Sequence, residues 1–434
     1  MELIIVLAIF VICMVASLAL NFTMIIPLAV GFALFLALAV RRGFRLPEVL
    51  RFAWGSIREG LIVVVILLII GCLTGMWRLS GTVAWFVHEG VRVVPPRMFL
   101  LAAFLLSSIM SFALGTSFGV TATAGVILIT IARAGGVDPL FAAGAIFSGV
   151  YLGDRGSPAA SSANLVAVLT KTDIRRNVRE MLKCSIVPFL ICCLLYGALS
   201  PLFPMSGGDS ELQGLLAREF DLHWTCVIPA VLMVVLPFAG LDVKLSMLAS
   251  FVSAALVALL LQGASGRELL EATFLGYTPK DPLLAGSLSG GGICSMLEVG
   301  VILVISCSYG GIFKGTGMLD GITGKLEHMK EKHGRFPVML MLGTACAALL
   351  CNQTIGAILQ NQLADSLYDD TEAERTARML DIENSVILVS GLVPWCIACS
   401  VPRAMLDVGP GMLPLAFYLW LVPVWWLLRS RSKS

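Results

Sequence analysis

An all-α membrane protein that crosses the bilayer many times is what this sequence predicts, and three observations predict it. Hydrophobic residues make up 58% of the 434 and charged residues 13%, about half the roughly 25% charge usual in soluble domains. The apolar residues gather in runs near the ~20 residues that span hydrocarbon: Leu61–Trp77, Met98–Leu114, Cys184–Phe203, Trp224–Gly240, Leu245–Leu261 and Met412–Leu428. Several apolar stretches also carry Gly, Pro, Ser, Thr or Asn inside them, which predicts helices broken within the membrane.

Element by element, roughly 10–13 spanning or re-entrant helices are expected in one integral membrane domain. Residues 1–45 read as a helical hairpin that stays in the membrane. Leu3–Leu20 is too long for a signal-peptide core, no basic segment precedes it, and Asn21 separates it from a second run ending at Val40. Residues 46–203 form a first repeat, 204–262 connecting helices, and 263–434 a second repeat with a C-terminal helix.

Basic residues cluster at Arg41, Arg42, Arg45 and Arg51, at Lys171, Arg175, Arg176, Arg179 and Lys183, at Lys325, Lys330, Lys332 and Arg335, and at Arg429, Arg431 and Lys433. Acidic stretches lie at Asp209–Asp221 and Asp369–Glu374. The positive-inside rule then predicts both termini, 171–183 and 325–335 in the cytoplasm of a cell membrane, with 204–221 and 369–380 outside.

The interruptions recur. They fall at Ala113–Gly119, Leu152–Leu165, Gly286–Met296 and Cys351–Gly356. Gly75-Met76-Trp77-Arg78 resembles Gly311-Ile312-Phe313-Lys314, and Gly115–Gly119 falls where Asn352–Gly356 falls, at nearly the same offset. An internal duplication is expected, inverted if each half has an odd number of crossings. Broken helices of this kind build the binding sites of secondary transporters.

Ionisable groups at membrane depth are costly. Asp154, in Gly153-Asp154-Arg155-Gly156-Ser157-Pro158, is a candidate cation or proton ligand among residues able to unwind a helix. Glu383, at the head of the run Ile382–Val401, and Glu298, after Gly290-Gly291-Gly292, are candidates of the same kind. Asp381 lies two residues from Glu383 and so off its helix face. Ser157, Ser161, Ser162 and Asn164 offer oxygens to a hard cation; so do Thr116, Ser117, Asn352, Gln353 and Thr354. For all of these, small-residue helix packing is the alternative. Arg403 either pairs with Asp407 one turn on or holds a carboxylate substrate.

Other classes lack support. No basic stripe with aromatics points to nucleic acid. Cys396-Ile397-Ala398-Cys399 has no second pair, so metal or redox chemistry is not expected, and no nucleophile or metal constellation suggests an enzyme. No cofactor is expected beyond sodium and protons as coupling ions.

At these residues the chain resembles the NhaC-type sodium/proton antiporter family, within the wider ion transporter superfamily, from about Leu61 to Ala404. The family reads G-T-S-x-G and then G-D-K-x-S-P-L-S-D-T-T-N-L. This chain has Gly115–Gly119, Gly144, Gly153-Asp154-Arg155, Ser157-Pro158 and Asn164-Leu165. Ser289-Gly290-Gly291 and Leu392-Val393-Pro394-Trp395 look like the family's small-residue break and its L-I-P-W motif, and Glu383-Asn384 falls where the family has an E-D pair. The resemblance implies a dimer-capable fold of two inverted repeats, with broken helices crossing near the midplane, and exchange of sodium for protons. Some relatives exchange organic acids or amino compounds. The chain departs from the pattern at three positions: Ser161 and Asn384 stand where the family has Asp, and Arg155 where it has Lys. Two negative charges are thereby lost, which suits an organic substrate carrying its own charge. Cation/proton antiport through Asp154 and Glu383 is the expected activity. The alternative is ion-coupled transport of a carboxylate or amino acid in the same fold.

Overall fold

The computed structural model describes residues 2–20, 22–93, 95–205, 210–318 and 323–431. Asn21, Asp209 and Lys433 lie outside these residues, as does the side chain of Lys325. The described chain is a stack of helices. The first part comprises α1 (Glu2–Ala19), α2 (Ile25–Arg41), α3 (Leu46–Leu79), α4 (Thr82–Val93), α5 (Phe99–Leu114), α6 (Ser117–Val120), α7 (Val126–Ala134), α8 (Pro139–Gly156), α9 (Ser161–Thr170) and α10 (Ile174–Leu199). Next come α11 (Ser210–Glu219), α12 (Ile228–Phe238), α13 (Val243–Leu260), α14 (Gly266–Phe274) and α15 (Pro282–Leu288). The last part comprises α16 (Ile293–Thr316), α17 (Thr323–His333), α18 (Arg335–Leu350), α19 (Gln353–Leu363), α20 (Glu372–Ile382), α21 (Ile397–Met405) and α22 (Phe417–Arg431). Among the described residues, six helices are long and apolar enough to cross a membrane, and four shorter apolar helices accompany them.

Two helical hairpins and two broken helices make the centre. In the first hairpin, α5 stops at Gly115, whose φ of +65° is left-handed. Thr116 is extended and caps α6 by accepting the Gly119 amide. The second hairpin repeats the same turn. Cys351 takes φ +54° after α18, and Asn352 is extended and caps α19 by accepting the Ile355 amide. The starts of α5 and α18 (99 and 335), α6 and α19 (117 and 353), and α9 and α21 (161 and 397) all lie 236 residues apart.

Each hairpin returns to the face from which it entered. Met205 donates its amide to Pro96, and Gly135 packs on Met205, so both ends of the first hairpin sit together beyond the C-terminus of α10. The second hairpin ends beyond the N-terminus of α10: Lys330 Nζ donates to the Leu367 carbonyl at 2.8 Å, and Arg335 bonds Glu374 at 2.5 Å. This corrects one expectation. Residues 369–374 share a face with 171–183 and 335, because Arg176 also bonds Glu372. The cause is length. At 1.5 Å per residue, the 16 residues of α18 and the 11 of α19 are each too short for a core about 30 Å thick. The acidic segment therefore neutralises basic neighbours instead of marking the opposite side.

Small residues allow the close contacts. A Cβ on Gly153 would lie 2.0 Å from Ser111 of α5, and one on Gly75 would lie 2.1 Å from the Ala272 carbonyl. Gly311 meets the Phe52 carbonyl in the same way, so the Gly75–Arg78 and Gly311–Lys314 resemblance marks two backbone crossings. Gly292, at φ +83°, donates its amide to the Gly71 carbonyl and lets α3 pass against the start of α16.

Candidate functional site

The two broken helices meet at the centre, and their interruptions present the candidate charges. Asp154 and Arg155 occupy the last turn of α8, and the chain then unwinds through Ser157–Ala160 before α9. Opposite, α20 passes into a π-helical turn, Glu383–Ile387, whose first two residues are Glu383 and Asn384. A second π turn, Thr121–Gly125, joins α6 to α7. Such turns are rare and frequent at functional sites. The chain unwinds again before α21, whose first amide, Ile397, bonds the Cys351 carbonyl at the tip of the second hairpin.

Asp154 is buried between the two hairpin tips. Gln353 Nε2, from the second tip, lies 3.4 Å from its Oδ2 and also donates to the Ile387 carbonyl at 3.0 Å. Ser117, from the first tip, faces the same carboxylate with its hydroxyl and amide. Arg155 is fully buried. Its guanidinium donates to Ser185 Oγ (2.6 Å), Tyr418 Oη (3.1 Å), Cys184 Sγ (3.0 Å) and Asn384 Oδ1. Glu383 is completely shielded, and neither of its carboxylate oxygens receives a hydrogen bond from the described residues. It lies within electrostatic reach of both Arg155 and Asp154. A buried carboxylate without donors is costly, so its retention at a helix break needs a reason beyond packing.

Charge counting gives the chemistry. With both carboxylates ionised, Asp154, Glu383 and Arg155 leave one net negative charge. One proton or one monovalent cation neutralises it, so the two can substitute for each other.

The other expected residues divide. Asn384 joins the cluster, but as an acceptor for Arg155 and with its Nδ2 unpartnered. Thr116 and Asn352 are helix caps at the two tips. Ser157 is buried and accepts the Ala159 amide at 3.2 Å within the break. Ser162, not Ser161, turns inward and bonds the Asp154 carbonyl. Ser161 and Asn164 lie on the exposed side of α9, and the Asn164 amide donates to the carbonyls of Pro158 and Ala160. Asp381 is satisfied by Trp426 Nε1 and Tyr368 Oη, each at 2.7 Å, and faces Arg335, which ties α20 to α18 and α22. Glu298 is exposed and accepts from Thr23 at 2.8 Å; it is not part of the Asp154–Glu383 cluster. The Arg403–Asp407 pair does not form. Asp407 instead pairs with Arg133, which also donates to the carbonyls of Leu406 and Asp407. Helical spacing permits the first pair, but Asp407 sits past the helix end at φ +51°, turned toward α7.

Several partners are not evident from sequence: Ser185 and Cys184 on α10, and Tyr418 on α22. Their only signal is that they are polar groups in apolar runs. All twelve cysteines are free thiols, Cys396 and Cys399 included, and no metal-ligating cluster occurs among the described residues.

Comparison with known proteins agrees with this geometry. The model of the Na+/H+ antiporter family matches residues 1–163 and 149–428. The chain is 31% identical over 411 residues to the malate-2H(+)/Na(+)-lactate antiporter of Bacillus subtilis, covering 91% of this chain and 86% of that protein. It is 28% identical to the arginine/ornithine antiporter ArcD of Halobacterium salinarum, over 80% of this chain and 76% of the relative. It is 24% identical to the Na(+)/H(+) antiporter NhaC of Alkalihalophilus pseudofirmus, over 86% and 84% respectively. With its broken helices and buried carboxylates in place and the family model spanning nearly the whole chain, this protein belongs to the Na+/H+ antiporter family.

Proposed function

We propose that the protein is a secondary transporter exchanging sodium, or a similar monovalent cation, for protons across the cell membrane. The observation that carries this is the buried pair Asp154 and Glu383, on the interruptions of two facing helices, with Arg155 fixed beside them. The carboxylates take a proton or a cation in turn, and Gln353, Ser117 and backbone oxygens complete the cation's shell. Arg155 holds the cluster's net charge at one unit.

We further propose that 46–203 and 263–434 are two copies running in opposite directions through the membrane. The equal spacing of helix starts and the opposite faces of the two hairpins support this. We also propose that both termini are cytoplasmic: Arg335 and Arg429 line one cavity near the end of α22, Arg176 lies on the same face, and the Arg41–Glu2 ion pair brings the start of α1 to the basic end of α2.

The test is purified protein in liposomes with an imposed pH gradient. Sodium should dissipate the gradient, and Asp154→Asn and Glu383→Gln should each abolish the effect while the protein stays monodisperse. Full sodium-driven proton flux in either variant rejects the site. A second reading, exchange of an organic solute, is favoured by the neutral Asn384 held by Arg155. The malate/lactate antiport of the B. subtilis relative and the arginine/ornithine antiport of the H. salinarum relative suit it as well.

A further inference from the structure

A second polar cavity, about 500 Å³, opens between α3, α16 and α21, apart from the buried carboxylates. Its lining includes Thr74, Arg78, Gly290, Glu298, Ser400 and Arg403. Arg78 is buried at 6% exposure; one terminal nitrogen donates to the Thr74 carbonyl at 3.1 Å, and its Nε has no partner. Ser400 is 3% exposed, and its hydroxyl is unpartnered. Arg403, one turn further along the same helix, forms no ion pair among the described residues, and its buried Nη1 has no acceptor.

Asp407 lies within electrostatic reach of Arg78, but among the described residues no carboxylate of the cavity forms an ion pair with either guanidinium group. Asp407 is engaged by Arg133, and Glu298 accepts from Thr23. Two arginines and a hydroxyl therefore line one cavity with unmet donors. An unpaired buried cation is strongly unfavourable, and guanidinium donors match a planar carboxylate. Gly290, at φ +120°, has no side chain to cover the Arg78 guanidinium, which a Cβ there would touch at 3.8 Å. The cavity also approaches the transport centre. Ser400 is three residues from Ile397, which bonds the tip of the second hairpin.

We propose that this cavity binds the carboxylate of a small organic acid, with Arg78 and Arg403 as its cationic ligands and Ser400 as a hydroxyl donor. This deepens the organic-solute reading and does not depend on cation exchange. Carboxylate and inorganic anions share the chemistry, so the test separates them. Purified wild-type protein is titrated by equilibrium dialysis with radiolabelled succinate and acetate, with chloride and phosphate as competitors. Arg78→Gln, Arg403→Gln, Arg78→Lys and Arg403→Lys are measured alongside, each checked for monodispersity. Saturable binding of either acid is expected, weakened at least tenfold by each glutamine variant and less by each lysine variant. Chloride or phosphate at equal concentration should not displace it. Three results overturn the proposal: no saturable binding up to roughly 10 mM, displacement by chloride or phosphate as effective as by the acids, or glutamine variants that bind like wild type. Sodium-driven proton flux, measured in liposomes free of organic acid, reports separately on the cation reading. Failure there with acid binding intact rejects cation exchange alone.

Discussion

At the scale of residues, two positions where the chain lacks the family's aspartates have different fates. Ser161 lies on the exposed side of α9, whereas Asn384 is completely buried against Arg155. Restoring an acid at the two should therefore differ sharply. Asn384→Asp gives Arg155 a carboxylate partner and raises the cluster to two net negative charges, so sodium should bind at least about tenfold tighter, a gain of roughly 1.4 kcal/mol. Ser161→Asp adds its charge outside the cluster and should change sodium affinity less than about twofold. Half-maximal sodium for gradient dissipation measures both, and equal effects would refute the assignment. Arg155→Gln tests the fixed charge. It strips four partners of their donor and leaves two carboxylates without a cation, at a cost of roughly 3–5 kcal/mol. A clear fall in melting temperature in detergent, with loss of transport, is expected, and an unchanged melting curve would rule out this role for Arg155. The carboxylates were legible in sequence because a charge in an apolar run stands out. Ser185, Cys184 and Tyr418 were not, since their role depends on which helices meet.

At the scale of elements, the helix breaks were legible and their direction was not. Gly, Thr, Ser and Asn at 115–117 and 351–353 announce a turn. Only the structure shows that each turn sends the chain back to its starting face. Helix lengths of 16 and 11 residues carried that information, but hydropathy blurs α18 and α19 into one apolar stretch. Gly115 sets the first turn. At φ +65° it takes a conformation unfavourable for other residues, and an added Cβ would lie 2.5 Å from the Ala159 carbonyl carbon. Gly115→Ala should therefore lose at least roughly 1–3 kcal/mol from backbone strain alone, with steric cost added, and transport should fail. Gly156→Ala is the control. Nothing lies within 4 Å of its Cβ position and its φ is not left-handed, and alanine suits a helical position better than glycine. Melting temperatures of the two variants check this, and a loss at Gly156 matching that at Gly115 would contradict the packing argument.

At the scale of the whole molecule, the faces are defined by ion pairs as well as by basic residues. Arg176 with Glu372, and Arg335 with Glu374, bring the basic cluster after α9, the start of α18 and the start of α20 to one surface. The acidic segment 210–221 lies at the other end: Glu219 accepts the amides of Lys280 and Asp281 and the Tyr277 hydroxyl, and Asp221 donates its amide to Gln262. Acidic sequence thus marks opposite faces in the two places, which is why the sign of charge misplaced 369–380. Basic residues remain the better guide, because carboxylates contribute little to orientation. The consequence can be measured with single cysteines at Arg176, Glu372 and Asp221 on a cysteine-free background, using an impermeant thiol reagent on intact cells and on inverted vesicles. Positions 176 and 372 should label together, in inverted vesicles only, and 221 should label in intact cells only. The Arg176–Glu372 pair is solvent-exposed, so it contributes about 0–1 kcal/mol, and replacing either partner should leave the fold intact. Labelling of 372 with 221 in intact cells would break the second hairpin as described. It would also overturn the opposed arrangement proposed for the two halves, because a single crossing between 335 and 372 would replace the return. Labelling of 176 and 372 together from outside would instead keep the fold and reverse its orientation in the membrane.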